Sequence, residues 1–215
     1  MSTTVLLIRH PESAWNCRGI YQGQRDIPLS PLGRIQAELV AARLSREQVS
    51  GVVCSPLRRA HALAQAIARY HRLTPRTDDR LTEIGHGDWE GLSRDEARER
   101  YPEMYRTWTE RPHEVTFQGE DGESLQAVHD RSLTPIEELL AQPDGGTWVV
   151  VTHDTVCRLV VAAANEQPVL GFSAVGLENA GISTLVGPRL VGSVRQVNDV
   201  EHLGEHRVNL STQAL

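Results

Sequence analysis

The sequence contains no lysine. All 22 basic residues are arginines, against 28 acidic residues, and the formal net charge is −6. The absence of lysine excludes a Walker-type phosphate loop, a Schiff base and a lysine general base. A GC-rich genome explains an arginine-only composition, so the composition alone is weak support for phosphate binding. The negative charge does not indicate a nucleic-acid or membrane surface.

Cysteine and long apolar runs are also scarce. Cys17, Cys54 and Cys157 are too few and too scattered for a disulfide scaffold or a zinc site. No apolar stretch approaches the ~20 residues of a membrane span, and the first residues lack the pattern of a signal peptide. We therefore expect a cytoplasmic protein with reduced thiols and with no nucleic-acid or membrane partner; a homodimer is compatible with the sequence.

Short β-branched runs alternate with helical patterns along the 215 residues. This alternation predicts a single domain (1–215, core about 4–200) of the α/β class, a sandwich with a mainly parallel sheet. Strands are expected near 4–9, 51–54, 74–77 and 147–152, with later edge strands near 181–186 and 190–197. Helices are expected near 30–44, 57–72, 93–101, 123–141 and 155–164. The mixed segment 102–121 is a candidate cover over the site, and 200–215 is expected to be a C-terminal tail.

Ser30 and Pro31 are typical of a helix start, as N-cap and first-turn proline. After them, apolar side chains recur at helical spacing and predict an amphipathic helix; they are Leu32, Ile35, Leu39 and Leu44.

Three of the predicted strands end in residues suited to one chemistry. The first is followed by Arg9 and His10, the second leads to Arg59, and the fourth leads to His153. Because the carboxyl ends of parallel strands share one edge of a sheet, we expect these side chains to meet there. A guanidinium fork suits a phosphoryl group, and a neutral imidazole can attack its phosphorus. The pattern predicts phosphoryl transfer to His10, with Glu83 as a sensible proton donor.

The ordered motifs carry a family resemblance. They are Arg9-His10, Glu12, Asn16, Gln22-Gly23, Ser55-Pro56-Leu57-x-Arg59-Ala60, Leu81-x-Glu83, Gly87-x-Trp89-Glu90-Gly91, Gly122-Glu123-Ser124 and Val151-Thr152-His153. Over about residues 5–200 the chain resembles the histidine phosphatase superfamily, in the branch of cofactor-dependent phosphoglycerate mutase and its phosphatase relatives. The resemblance implies a three-layer α/β/α fold that needs no metal or other cofactor.

The same resemblance implies a role for individual residues. His10 would be the phosphoacceptor and Glu83 the proton donor. The phosphate ligands would be Arg9, Arg59 and His153, and the pocket residues would be Asn16, Gln22 and Gly23. His86, three residues beyond Glu83 on the expected rim, is a candidate substrate contact.

Two residues depart from the family pattern. Pro11 stands where the family usually has glycine, so any phosphate contact from that amide is lost. Asp154 follows the second histidine, where glycine is usual. The acid-phosphatase branch places an aspartate there as proton donor, so Asp154 is a rival acid to Glu83; alternatively it binds a hydroxyl or amine of the substrate.

The length of the region after Glu83 helps to distinguish a mutase from a phosphatase. Mutases, as the resemblance implies, carry a longer insertion there with basic residues for a second acidic group, whereas here only 40 positions separate Glu83 from Glu123. We expect Arg106, Arg111 and His113 to lie on the solvated surface; the alternative is that they bind a carboxylate or distal phosphate of the substrate. The sequence therefore favours hydrolysis of a small phosphorylated metabolite. Phosphoglycerate mutase is the first alternative, and an inactive phosphate-binding module, suggested by Pro11 and Asp154, is the second.

No other covalent phosphatase motif is present. None of the three cysteines has an arginine six positions later, and no Asp-x-Asp-x-Thr run occurs. These absences exclude the cysteine-phosphatase loop and the aspartyl-phosphate mechanism.

Overall fold

The computed structural model describes residues 2–167 and 169–208. In this part of the chain six strands form one sheet, ordered β3-β2-β4-β1-β5-β6. Their bounds are β1 Thr3–Arg9, β2 Val49–Cys54, β3 Arg76–Thr77, β4 Gly146–Thr152, β5 Ile182–Val186 and β6 Val194–Asp199. The first four in sequence pair in parallel, and β5 and β6 are antiparallel to their neighbours. The predicted α/β class with a mainly parallel sheet is confirmed.

Helices cover both faces of the sheet. Their bounds are α1 Pro31–Leu44, α2 Arg58–His71, α3 Arg94–Arg100, α4 Pro102–Glu110, α5 Leu125–Leu140 and α6 Asp154–Ala164. Side chains of β1 alternate between two cores: Leu6 and Ile8 pack with α1 and α2, whereas Val5 and Leu7 pack with α5 and α6. This alternation produces the three-layer α/β/α sandwich that the resemblance implied.

Helix α1 buries Leu44, as its apolar pattern predicted, but leaves Ile35 exposed. Ile35 is 46% exposed, and the buried positions are Gly33, Gln36, Ala37, Val40, Ala41 and Leu44. The reason is close packing: a Cβ on Gly33 would lie 1.9 Å from the carbonyl oxygen of Glu12. The small residues let the helix approach the loop after β1, which carries His10.

The prediction that both late strands lie at the edge is wrong for β5. This strand lies between β1 and β6, so of the two late strands β6 alone is at an edge of the sheet. Its residues Ile182 and Leu185 are buried, and it pairs along nearly the whole of β1. A five-residue strand is too short for its pattern to tell an edge position from an inner one.

The segment expected to cover the site is ordered around aromatic side chains. It contains α4 and a 3₁₀ turn, Pro112–Glu114, and it buries Trp108, Val115 and Phe117. Of the expected tail, a 3₁₀ stretch spans Glu201–His206, and 209–215 lie outside the described residues. No helix in the described ranges has the length and apolar character needed to cross a membrane.

Candidate active site

The two histidines lie side by side at the carboxyl ends of neighbouring parallel strands. Arg9 and Thr152 are partners in the β1–β4 register, and the amide of His10 donates to the carbonyl oxygen of Thr152 at 2.8 Å. His10 and His153 follow these two residues, and their ring centroids are 5.1 Å apart. Both rings are buried. The strand pairing therefore sets the distance between the histidines.

A backbone contact fixes the tautomer of His10. Its Nδ1 lies 2.6 Å from the carbonyl oxygen of Pro11, and because a carbonyl only accepts, Nδ1 must carry the proton. The pKa of His10 is well below its usual range because the ring is buried, with further lowering by Arg59 and Arg9. The imidazole is therefore neutral, with the Nε2 lone pair available for attack.

His153 is held by a serine. Its Nε2 lies 2.8 Å from Oγ of Ser55, the first residue after β2, while Nδ1 makes no hydrogen bond within the described residues. Burial, followed by the charge of Arg59, lowers the pKa of His153 well below its usual range. If the Ser55 hydroxyl donates, Nδ1 carries the ring proton and can donate it to an anion.

Arg59 is a fully buried cation in the first turn of α2. Nη1 donates to the carbonyl oxygen of Arg25 and Nη2 to that of Gly23, both at 2.8 Å. Burial lowers the pKa of Arg59 to about 10, which still leaves the group charged at neutral pH. The adjacent Arg58 is exposed, as neighbouring helix positions point different ways.

Arg9 and Asp154 form part of a buried charge chain. Nη1 of Arg9 donates to the carbonyl oxygen of Leu177 at 2.6 Å and lies 3.0 Å from Oδ1 of Asp154. The other oxygen of Asp154 lies 2.8 Å from Nε of Arg158, one helical turn further along α6. Both oxygens of Asp154 thus face guanidinium groups, an arrangement that suits an ion-pair acceptor better than a proton donor.

Glu83 lies near Asp154 in the cavity wall, in the segment after the 3₁₀ turn Asp79–Leu81. Its Oε1 accepts from the amides of Ile84, at 2.9 Å, and Thr155, at 3.3 Å. Burial, and then the nearby charge of Asp154, raises the pKa of Glu83. A raised pKa favours the protonated carboxyl that a general acid requires.

These side chains surround one small cavity that opens to solvent. Its lining residues are Arg9, His10, Asn16, Gln22, Gly23, Arg59, Glu83, His86, Asp154 and Thr155. The structure thus brings nine of the ten predicted site residues to a single cavity. The tenth, His153, is not among the lining residues and adjoins the cavity through the ring of His10.

A short loop supplies the polar wall of this cavity. Ser13 Oγ donates to Gln22 Oε1 at 2.5 Å, and the Ser13 amide donates to Asn16 Oδ1 at 3.0 Å. Gly23 has a φ of +50°, and a Cβ there would lie 1.9 Å from Oε1 of Glu90. That oxygen accepts from the next amide in the loop at 2.8 Å. A larger residue at position 23 would therefore displace the Glu90 carboxylate that binds this loop.

His86 lines the cavity, and its ring is buried among the side chains of Phe117, Tyr21 and Trp108, which form an aromatic box around it. Its ring centroid lies 4.7 Å from that of Phe117, 5.2 Å from Tyr21 and 6.1 Å from Trp108. Neither ring nitrogen has a hydrogen-bond partner among the described residues. Burial, with a smaller contribution from Arg59, lowers the pKa of His86 to about 3. The neutral ring offers one N–H donor and one acceptor to a molecule in the cavity.

Sequence reasoning did not assign a role to Ser55, Thr155 or Arg158. Ser55 belongs to the motif around Arg59, so its proximity to the site could be expected, although its pairing with His153 could not. Arg158 follows Asp154 by four residues on a predicted helix, which is a readable signal for an ion pair.

Comparison with known proteins identifies the family of the chain. The family model for branch 1 of the histidine phosphatase superfamily matches residues 5–200. The chain is 39% identical over 204 residues, 95% of its length and 96% of the relative's, to phosphoserine phosphatase 1 of Hydrogenobacter thermophilus. It is 33% identical over 198 residues, 88% of its length and 87% of the relative's, to glucosyl-3-phosphoglycerate phosphatase of Mycobacterium tuberculosis.

Structural comparison gives the same result. The native structure of mycobacterial glucosyl-3-phosphoglycerate phosphatase superposes with a TM-score of 0.79 at 31% identity, covering 93% of this chain and 98% of that one. The chain therefore belongs to branch 1 of the histidine phosphatase superfamily and is a phosphomonoesterase of that family.

Proposed function

We propose that this enzyme hydrolyses small phosphomonoesters through a phosphohistidine on His10. The observation that carries the proposal is the 2.6 Å contact between Nδ1 of His10 and the carbonyl oxygen of Pro11. It leaves Nε2 of a neutral, buried ring as the nucleophile, beside two buried guanidinium groups, Arg9 and Arg59. An uncharged imidazole next to fixed positive charge is suited to attack an anionic phosphoryl group.

In the first half-reaction Nε2 of His10 forms a bond to phosphorus while the bond from phosphorus to the ester oxygen breaks. Arg9 and Arg59 bind the equatorial oxygens, and His153 donates through Nδ1 if Ser55 holds it in the required tautomer. Glu83 gives its proton to the departing alkoxide, so an alcohol leaves.

In the second half-reaction water attacks the phosphohistidine. The ionised Glu83 takes a proton from that water, the bond from phosphorus to Nε2 breaks, and inorganic phosphate leaves. His10 and the protonated Glu83 are restored together, so the cycle needs no external proton carrier.

We assign the acid role to Glu83 rather than Asp154 for two reasons. Burial raises the pKa of Glu83, which favours the protonated form that can donate. Asp154 lies between Arg9 and Arg158. To act as the donor it would have to carry a proton, and it would then lose its charge pairing with both guanidinium groups. In this scheme Asp154 instead keeps Arg9 in place.

The substrate we propose is a small phosphorylated amino or hydroxy acid. The cavity is compact, and its rim presents the neutral, unsatisfied ring of His86. A carboxylate on the substrate can accept the N–H of this ring, while Trp108 and Phe117 enclose it. The likeness to a phosphoserine phosphatase over nearly the whole chain makes L-phosphoserine the first compound to test.

Trapping tests the covalent step. The enzyme is mixed with ³²P-labelled phosphomonoester, quenched within milliseconds and separated from free label. We expect label on the protein that is released by acid and retained in alkali, as for a phosphoramidate, and none on His10→Asn. The variant His113→Asn, at an exposed position, is the matched control and should label normally.

Absence of label together with absence of turnover on a phosphometabolite panel would favour the binding-module alternative. Transfer of label to added glycerate acceptors, instead of release as phosphate, would favour a mutase. Steady hydrolysis with no covalent label under fast quench would refute the phosphohistidine route.

Kinetics of His86→Asn test the substrate contact. We expect KM for L-phosphoserine to rise about tenfold, which corresponds to the loss of roughly one hydrogen bond to a charged group. KM for p-nitrophenyl phosphate, which has no carboxylate, should change little. An equal effect on both substrates would argue against a carboxylate contact. The expected cytoplasmic location and homodimer stay predictions.

A further inference from the structure

We infer that Arg131 and Glu123 are positioning residues for the proton donor, an inference that rests on the acid role proposed for Glu83. Arg131, on α5, donates from Nη1 to the carbonyl oxygens of Arg80, at 2.9 Å, and Thr82, at 2.8 Å. Its Nη2 donates to the carbonyl oxygen of Glu83 at 3.0 Å. One guanidinium thus binds three backbone carbonyls in the four residues that lead to the acid.

Glu123 holds both this guanidinium and the far end of the same segment. Its Oε1 accepts from Nε of Arg131 and its Oε2 from Nη2, each at 2.8 Å. Oε2 also accepts from the amide of Gly85 at 2.9 Å. The pair therefore holds residues 80–85 in place around Glu83. Arg131 binds the carbonyl oxygens of residues 80, 82 and 83, and Glu123 binds the amide of residue 85.

Gln24 connects the Arg131–Glu123 pair to the loop that binds Arg59. Its Nε2 donates to the carbonyl oxygen of Glu83 and to Oε2 of Glu123, both at 3.2 Å. Gln24 follows Gly23, whose carbonyl oxygen accepts from Arg59. The acid and the phosphate-binding arginine are thus joined through a short run of hydrogen bonds.

The two side chains are only about one-fifth exposed, 20% for Arg131 and 19% for Glu123. A bidentate pair of low exposure keeps its geometry better than a solvated one. Because general acid catalysis depends on the placement of the proton donor within a fraction of an ångström, loosening this segment should impair proton donation more than phosphate binding.

Leaving-group dependence separates this role from general support of the fold. A poor alkoxide leaving group needs the proton of Glu83, whereas p-nitrophenolate leaves without it. We would measure kcat/KM, which reports phosphoryl transfer to His10, for glycerol 2-phosphate and p-nitrophenyl phosphate in Glu123→Gln, Arg131→Gln and Glu83→Gln.

We expect Glu123→Gln and Arg131→Gln to lose roughly 10- to 100-fold on glycerol 2-phosphate, part of the ~10²–10⁴-fold worth of a general acid, and less than about threefold on p-nitrophenyl phosphate. Glu83→Gln should show the same selectivity, more strongly. Arg98→Gln is the matched control: its side chain forms an exposed pair with Asp95 on α3, outside residues 80–85, and both substrates should be turned over as in the wild type.

The outcomes are distinct. Selectivity in Glu83→Gln but equal losses on both substrates, or none, in the Glu123 and Arg131 variants would overturn the positioning role and leave the proposed function standing. No selectivity in Glu83→Gln would overturn the acid assignment and this inference with it. If Arg131→Gln does not fold, the near-isosteric Glu123→Gln decides by the same ratio.

Discussion

His10 and Pro11, adjacent in the chain, hydrogen-bond through Nδ1 and a carbonyl oxygen 2.6 Å apart. The contact uses only the carbonyl, which every residue possesses, so proline at this position does not disturb the tautomer of His10. The amide of His10 itself still reaches Thr152. The missing N–H of Pro11 is thus compatible with an active nucleophile.

The first prediction concerns Pro11→Gly. We expect kcat/KM to stay within about threefold of the wild type, because the carbonyl contact survives, while the free energy of unfolding falls by about 1 kcal/mol through greater freedom of the unfolded chain. Steady-state kinetics and denaturant unfolding measure the two quantities. A gain of tenfold or more in kcat/KM would show that the proline costs the site a phosphate contact.

A second prediction concerns pH. Glu83 must be protonated to donate, so kcat/KM should fall as pH rises through its pKa, which burial and the charge of Asp154 raise. Removing that charge in Asp154→Asn lowers the pKa of Glu83, and the alkaline limb should move to lower pH. At the acid end His10 must be neutral, and its lowered pKa should place that limb below the titration of free imidazole.

The same profiles decide between the rival acids. If Asp154 were the donor, Asp154→Asn would remove the alkaline limb for alkyl phosphates and Glu83→Gln would retain it. Thermal unfolding of both variants is the necessary control, since Asp154→Asn also weakens the pairs with Arg9 and Arg158.

The third prediction concerns Ser55→Ala. Loss of the 2.8 Å contact to His153 should free that ring to change tautomer and lower kcat/KM about five- to tenfold, close to the net worth of one buried hydrogen bond. Ser132→Ala is a matched control, because Ser132 is equally buried and its Oγ has no hydrogen-bond partner among the described residues. Similar kinetics in the two variants would show that Ser55 does not orient His153.

The fourth prediction compares two glycines with positive φ. Alanine at Gly23 would meet Oε1 of Glu90, whereas alanine at Gly91, with φ +93°, would meet nothing nearer than 3.7 Å, on Trp15. Both variants should lose about 1–2 kcal/mol of stability from backbone strain. Only Gly23→Ala should also lose about tenfold or more in kcat/KM, because the carbonyl oxygen of residue 23 accepts a hydrogen bond from Arg59. Displacing a donor that stabilises an oxyanion has an effect of at least this size.

Local sequence signals predicted the parts of the structure that depend on neighbours in the chain. The helix expected from residue 93 is α3, which begins with a capping box of Ser93 and Glu96, and the strand ends at His10 and His153 meet because parallel strands share an edge. The buried face of α1 was not predictable from Ile35, since it is set by the backbone near Glu12.

Contacts between distant side chains explain what the sequence did not predict in the site. Arg131 lies 48 residues from Glu83, and Ser55 lies 98 residues from His153. No periodicity or spacing encodes such pairs. The box around His86 likewise combines residues from three separate segments, so its enclosure became visible only in the folded chain.

The dry environment of Arg59 has a consequence for how activity responds to acidity. Burial lowers the pKa of Arg59 to about 10. The pKa of a lysine ammonium in water is already roughly two units below that of a guanidinium, so a lysine buried at this position would lose its charge at a lower pH. A guanidinium at this position stays charged through the neutral range, so its positive charge beside His10 does not change there. In the proposed mechanism, the alkaline limb of the pH profile then reports the titration of Glu83 and not that of Arg59.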